Sequence, residues 1–472
     1  MKYDLVAGLE THVELATATK IFCGCTTAFG GEPNTHCCPV CTGQPGTLPI
    51  LNKRVVEYAI RAGLATHCTI NTTTHLDRKN YCYPDLPKAY QISQFDKPLC
   101  EHGYVELDSG KKIGITRIHI EEDAGKLVHE RGFTFVDYNR GGVPLIEIVS
   151  EPDISSPREA REYIEKLQLI MRYIGVSDCK MQEGSMRCDV NISLKPAGSP
   201  VFGTRTEIKN MNSLSHIEKA MEYEYSRQAE VLDNGGEVVQ ATLRFDETTG
   251  ETSVMRTKED AQDYRYFPEP DILTVVIPEE KVQEIRDNLP ELPTDKFKRY
   301  TGELKINASA ASQIVRYKAA CDFIEKALSL GASAKHCINF TLGTIFSTLA
   351  TEEDKENFKI KVSAENFAQL IKLIDEGKIN VTAAQITLGK MLEEGKSVKD
   401  YIKEEDLAGV ADDELEKICR QVIAENPKII EDFKGGKDKA ICGLYGFIKR
   451  ATGGKADIRK ADALLRKIIS ES

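Results

Sequence analysis

The sequence predicts an α+β protein: a mixed strand-and-helix region over residues 1–290, then an all-helical remainder. Three observations carry this. Period-two alternation recurs in "KYDLVAGLETHVEL", "KIGITRIHIEED" and "VPLIEIVS". Capped amphipathic helices punctuate those strands. A Pro-rich stretch, "NLPELPTDK" at Asn288–Lys296, separates them from a region with helical periodicity alone. The 472 residues are enough for about three domains.

Following the chain, the first strand leads into "CGCTTAFGGEPNTHCCPVC", which holds five of the fourteen cysteines in nineteen residues, Cys23 to Cys41. The pairs Cys23/Cys25 and Cys38/Cys41 flank a twelve-residue loop. Each short-spaced pair lets one tight turn present two sulfurs, which suits a tetrahedral zinc held by four thiolates. Cys37 and His36 are spare candidates, and reduced cysteines without metal are the plain alternative. A closed four-sulfur site supports structure and leaves no position for chemistry.

Next, "LDRKNYCYPDLPKAYQISQ" interleaves Arg78, Lys79 and Lys88 with Tyr81, Tyr83 and Tyr90 on Pro-bounded loops. This composition suits phosphate and base contacts, or a lined polar passage. A helix follows the last of the three strands: Ser156 as N-cap, Pro157 in the first turn, Glu159 closing a capping box and Gly175 as the stop. The same grammar recurs from Ser215 to Gly235. Beyond 296, "AASQIVRYKAACDFIEKAL", "AENFAQLIKLIDEG" and "AAQITLGKMLEEG" are helical, several of them stopped by Gly. Gly395-Lys396-Ser397 is no phosphate loop, because the required earlier glycine falls on Lys390.

Charge and segment type narrow the function. The start has Asp4 and Glu10 within its apolar stretch, unlike a signal peptide, and no apolar run is long enough to span a bilayer. A cytoplasmic location is expected, and there disulfides are disfavoured. The net charge of −11 argues against a whole-surface nucleic-acid binder. From Arg420 onward, 12 Lys+Arg against 7 Asp+Glu give +5, which leaves −16 on the rest. An acidic body with a basic tail is suited to holding a polyanion through the tail, although a solvated helical surface has the same balance.

The acidic residues carry the chemistry. Glu10, His12 and Glu14 share one face of the first strand. "IHIEEDAG" places Glu121, Glu122 and Asp123 at a strand end, and Glu147 stands within the apolar run of "VPLIEIVSEPD". Together they suit a hard cation that also holds phosphate oxygens, the ordinary alternative being ion pairs at strand edges. "MRCDVNIS", "GTRTEIKNMNS" and "DYRYFPEPD" add Arg187, Asp189, Asn191, Arg205, Glu207, Lys209, Asn210, Arg265 and Tyr266, too polar for core strands.

These stretches, with "GQPGTLPILN", "DYNRGGVPLIEIVSEPDI", "KEDAQDYRYFPEPDI" and "DFKGGKDKAICGLYGFIKRATGGKAD", resemble in order the B-subunit family of tRNA-dependent aspartyl/glutamyl amidotransferases. The resemblance implies a kinase-like cradle domain with a zinc knuckle (1–290), a helical domain (291–400) and a small helical tail that holds tRNA (401–472). It implies ATP-driven phosphorylation of the side-chain carboxylate of Glu-tRNA(Gln) or Asp-tRNA(Asn), followed by displacement with ammonia. Magnesium is then expected on Glu10, His12, Glu121, Glu122 and Glu147, and ATP contacts on Arg187, Asp189, Asn191 and Lys209. Lys79 and Lys88, with Tyr81 and Tyr90, would line an ammonia route. The chain carries no amidase signature and no recognisable glutaminase cysteine, so ammonia is expected from a separate amidase A subunit, clamped with a small C subunit. Two rivals are an archaeal-type E subunit, for whose inserted domain the cradle leaves no room, and a non-catalytic zinc-bearing tRNA scaffold.

Overall fold

A computed structural model describes residues 2–257, 263–402, 412–452, 456 and 458–471. Residues 258–262 of the "KEDAQDYRYFPEPDI" stretch and 453–455 and 457 of the tail motif lie outside these, as do residues 403–411 just past the 400/401 division. The chain forms two compact units, Met1–Leu292 and Pro293–Ser472.

The first unit is built on a nine-stranded sheet. Its strands are β1 (Tyr3–Glu14), β2 (Thr69–Ile70), β6 (Cys100–Glu106), β7 (Lys112–Glu122), β10 (Pro144–Ser150), β11 (Met186–Pro196), β12 (Thr206–Met211), β13 (Ala241–Phe245) and β14 (Thr252–Thr257). They lie in the order β14-β13-β12-β11-β1-β10-β7-β6-β2. Neighbours run antiparallel except β12 and β13, which are parallel, so the sheet is mixed. Smaller pieces surround it: β3 (Thr73–Thr74), β4 (Asp77–Asn80), β5 (Tyr90–Ser93), the hairpin β8 (Lys126–Glu130) and β9 (Phe133–Asp137), and β15 (Phe267–Pro268), which pairs with β4.

The alternation of β1 explains the layering. Leu5, Ala7, Leu9 and Val13 are buried, while Glu10, His12 and Glu14 are half-exposed. The apolar face joins Ile118, Ile120, Ile146, Ile148, Val190 and Ile192 in one core. Four helices supply residues to that core: α1 (Lys53–Ala65), α2 (Pro157–Tyr173), α3 (Leu214–Asp233) and α4 (Glu279–Asp287). Each fully buried Leu, Ile or Val there contributes about 1.5–3 kcal/mol, so this face sets the register of the sheet. Gly63 of α1 lies so close to Cys100 that a Cβ there would stand 2.5 Å from its Sγ. Close helix–strand approach requires glycine at that point.

The caps differ in detail from expectation. Ser156 Oγ accepts from Glu159 N at 3.2 Å, but the Glu159 carboxylate accepts from Ser155 N, one residue away from a true capping box. The third helix starts at Leu214 behind N-cap Ser213, ahead of the Ser215 anticipated. "AASQIVRYKAACDFIEKAL" is two helices, Ala308–Val315 and Lys318–Ser329.

In the second unit the helices form two apolar clusters. One gathers Tyr300, Ile324, Phe367, Leu388 and Val398; the other gathers Leu415, Cys419, Leu444, Ile448 and Leu465. Among the described residues no helix is long and apolar enough to cross a membrane.

Candidate functional site

The face of the sheet opposite the core is polar because period-two register stacks polar side chains across five strands. His12 stands opposite Glu147 on one side and Arg187 on the other, and Glu147 stands opposite His119. Glu10 pairs with Asp189, and Asn191 with Glu207.

The first cluster is His12, Glu121 and Glu147. His12 Nε2 lies 3.4 Å from Glu121 Oε1 and 3.4 Å from Glu147 Oε2. His119 Nε2 lies 3.4 Å from the same Glu147 oxygen, and its Nδ1 is buried without a hydrogen-bond partner. Burial opposes the imidazolium of His12, yet its hydrogen bond to Glu147 and the charges of Glu121, Glu147 and Asp189 raise it to about 9. Burial likewise opposes the Glu147 carboxylate, but His119, His12 and Lys79 hold it well below the usual range. Two carboxylates here draw positive charge to themselves. Ligand atoms of His12, Glu121 and Glu147 all lie within 4.8 Å of one another, and this oxygen-rich set fits a hard cation.

Glu10 belongs to a second cluster with Asp189 and Glu207. Asn191 Nδ2 donates to Glu10 at 2.9 Å, and Lys209 Nζ bonds Asp189 and Glu207, each at 2.8 Å. Burial and the Glu147 charge push Glu10 up. Arg187 turns instead to Asp123, at 3.0 Å.

Glu122 is not a member of either cluster, so the structure does not bring together all five residues that the resemblance implies for magnesium. Neighbouring residues of a strand point to opposite faces, so Glu121 and Glu122 part. The Glu122 carboxylate accepts from Lys88 Nζ at 2.5 and 2.6 Å and from Ile92 N at 2.9 Å. Glu147 does stand within the apolar run of its strand, between buried Ile146 and Ile148, with its side chain on the polar face and 12 % exposed.

The Leu76–Gln94 stretch is not mere loop. Its β4 and β5 pair, and Gln91 Nε2 donates to Glu122 O at 2.8 Å, tying β5 to β7. Lys79 lies 5.0 Å from the Tyr264 ring centre; burial lowers its pKa, but Glu121, Tyr266 and Glu147 raise it on balance. Lys88 and Tyr90 line a separate cavity of about 120 Å³, together with Lys20, Cys41 and Glu122. Arg78 stacks on Tyr90 at 4.2 Å and bonds Glu269 at 2.6 and 2.9 Å.

Cys23, Cys25, Cys38 and Cys41 come together, with one sulfur from each within 4.8 Å of the others. Cys38 and Cys41 sulfurs are 4.0 Å apart, close to the roughly 3.8 Å edge of a tetrahedron with 2.3 Å metal–sulfur bonds. Cys37 stays outside, directed at Asn139 Oδ1. The set fits a metal.

Comparison with known families decides the identity. Residues 5–283 match the GatB/GatE catalytic domain and residues 322–469 the GatB domain. The chain belongs to the GatB family. Its GatB relatives include proteins named as the B subunit of the aspartyl/glutamyl-tRNA(Asn/Gln) amidotransferase. Those of Thermoanaerobacter sp. (strain X514) and Caldanaerobacter subterraneus subsp. tengcongensis are 52% and 51% identical, each matched over 100% of both chains. A Clostridium botulinum (strain Langeland) protein of the same name is 49% identical over 100% of this chain and 99% of its own.

Sequence reading passed over His119, whose Nε2 the structure sets 3.4 Å from Glu147. The signal was present: it stands two residues before Glu121 on the same strand face.

Proposed function

We propose that this chain is the subunit that phosphorylates the side-chain carboxylate of Glu-tRNA(Gln) or Asp-tRNA(Asn) with ATP and then passes the product to ammonia. The observation that carries the reading is the carboxylate-rich His12–Glu121–Glu147 cluster on the polar face of a GatB-family sheet. The full-length likeness to proteins named as amidotransferase B subunits supports it.

A carboxylate repels nucleophiles and loses oxygen poorly. Its oxygen attacks the γ-phosphorus of ATP, ADP leaves, and the acyl phosphate so formed has a good leaving group. Ammonia attacks the carbonyl carbon, phosphate departs, and the amide remains. His12, Glu121 and Glu147 would hold magnesium, with Glu10 beside them. Bound magnesium supplies neutralisation and alignment of the phosphate oxygens. Lys79 offers a buried positive charge to the same oxygens. Asn191, Asp189 and Lys209, with Arg187, would contact ATP, in a cradle of kinase-like construction. Lys88, Glu122 and Tyr90 line the cavity through which ammonia would arrive from an amidase A subunit, held with a C subunit. Four cysteinates would hold a structural zinc, and the helical tail would bind tRNA, in the cytoplasm.

The test is reconstitution with A and C subunits and both misacylated tRNAs. Phosphate release that requires Glu-tRNA or Asp-tRNA, followed by amide formation, is expected. ATP cleavage indifferent to charged tRNA would remove the reading.

A further inference from the structure

Lys20 precedes the first cysteine pair by three residues, and its side chain is fully buried, 0 % exposed. The backbone holds it from both sides: Lys20 N donates to Cys25 O at 2.9 Å, and Ile21 N donates to Gly142 O at 3.0 Å. Its ammonium donates to the Tyr138 carbonyl at 3.1 Å and to Cys41 Sγ at 3.6 Å. Among the described residues no carboxylate makes an ion pair with it.

A buried ammonium without an anion is costly, and one carbonyl is weak compensation. Neutral thiols supply no charge. Four thiolates on a divalent cation carry a net charge of −2, and the nearest of their sulfurs to Lys20 is that of Cys41. A metallated cluster gives this buried ammonium a fixed anionic partner in the Cys41 thiolate, the one sulfur it is seen to touch.

We infer that Lys20 is the built-in counter-charge of a four-thiolate metal centre, acting as a positioning residue through Cys41. This rests on the zinc reading above. The N–H···S bond fixes the orientation of the Cys41 sulfur, and the ammonium charge opposes the protonation that would release the thiolate from the metal, as partners behind metal ligands commonly strengthen binding. Lys20 also stands on the wall of the cavity that Glu122 shares. With Lys20 in place, the doubly negative centre does not face that carboxylate unshielded.

The experiment uses the full chain and compares it with Lys20→Met, which keeps length and removes charge. Zinc-bearing protein is mixed with a chromogenic zinc chelator and release is followed by absorbance. Lys20→Met should release zinc about 10–100-fold faster than the unaltered chain. The second arm measures melting in a Cys38→Ser/Cys41→Ser background, where no four-thiolate centre forms. There Lys20→Met should leave the melting temperature unchanged or raise it, because the buried charge has lost its partner. Equal release rates overturn the inference. So does a Lys20→Met penalty in the serine background as large as in the zinc-bearing chain, since Lys20 would then serve packing alone. An unaltered chain that neither carries nor takes up zinc removes the metal reading itself, a different and recognisable result.

Discussion

Lys88 and Glu122 form a buried ion pair, the ammonium 2.5 and 2.6 Å from the two carboxylate oxygens, with side chains 14% and 5% exposed. Breaking one side of such a pair leaves an unmatched buried charge, which costs about 3–5 kcal/mol, whereas removing both is far milder. Lys88→Met should therefore destabilise strongly, and Lys88→Met/Glu122→Gln should recover most of the loss in urea unfolding. In the assembled complex, Glu122→Gln is expected to spare tRNA-dependent ATP cleavage and depress only glutamine-dependent amide formation, with added ammonium restoring part of it. Loss of ATP cleavage would place Glu122 with the phosphoryl-transfer site after all.

Glu147 behaves in the opposite way. It faces His12 and His119 at 3.4 Å, so Glu147→Gln should lower tRNA-dependent ATP cleavage by orders of magnitude, because phosphoryl transfer depends on positioning and electrostatics. Chelation of magnesium should do the same to the unaltered complex. Normal phosphate release from Glu147→Gln would make the cluster structural.

His119 Nε2 lies 3.4 Å from Glu147 Oε2, so in the proposed site it would position that carboxylate. His119→Gln should raise the magnesium concentration needed for half-maximal ATP cleavage about 10–100-fold while sparing much of the rate at saturation. An unchanged magnesium titration would assign His119 to packing.

Glu224 of α3 is fully buried in a network with Arg227, Gln228, Thr206 and Thr252. Burial raises its pKa, but the bonds from Arg227, Gln228 and Thr252 lower it on balance. A depressed folded value means the contribution to stability is complete above the unfolded value, about 4.3, and is lost as pH falls through the folded one. Glu224→Gln should thus cost about 1–3 kcal/mol at pH 7 and show a shallower acid limb in stability against pH. Parallel acid limbs would exclude Glu224 as a source of that slope.

The basic stretch that begins at Arg420 starts inside the helix Asp412–Glu425, just past the buried Cys419, so it is no separable unit. Residues 412–472 together hold 13 Lys+Arg and 11 Asp+Glu, only +2, so the proposed tRNA binding would fall to a local patch. Lys449 and Arg450 end the helix Cys442–Ala451 and are exposed. Lys449→Glu/Arg450→Glu should weaken tRNA binding and reduce its salt slope by roughly 1–2. An unaltered slope would take the tail out of tRNA contact.

Much of this was legible because alternation is a local property. The buried and half-exposed positions of β1 follow directly from Leu9-Glu10-Thr11-His12-Val13. The cysteine set followed from spacing, since two tight turns leave few ways to arrange four sulfurs. What escaped was the partition between clusters. Glu121 and Glu122 look like one feature in a string, and only the register against β10 and the bonds from β5 send them to different places. Glu10 was grouped with His12, although its hydrogen bond runs to Asn191 on β11, 181 residues away in the chain. Pairing at such separation is decided by topology, which no single segment encodes.

The position of β1 also bears on synthesis. Its residues are made well before those of its partners β10 and β11: Tyr3 pairs with Pro196 and Val13 with Met186. At about 5–20 residues per second, both edges of this strand wait roughly 9–40 s for the last of those partners. During that interval "LVAGL" is an unpaired apolar strand on a growing chain, available to any chaperone or neighbouring nascent strand. Slow non-local pairing of this kind makes the yield of folded protein depend on translation speed. Synonymous codon changes between residues 14 and 186 should therefore alter soluble yield without altering a single side chain.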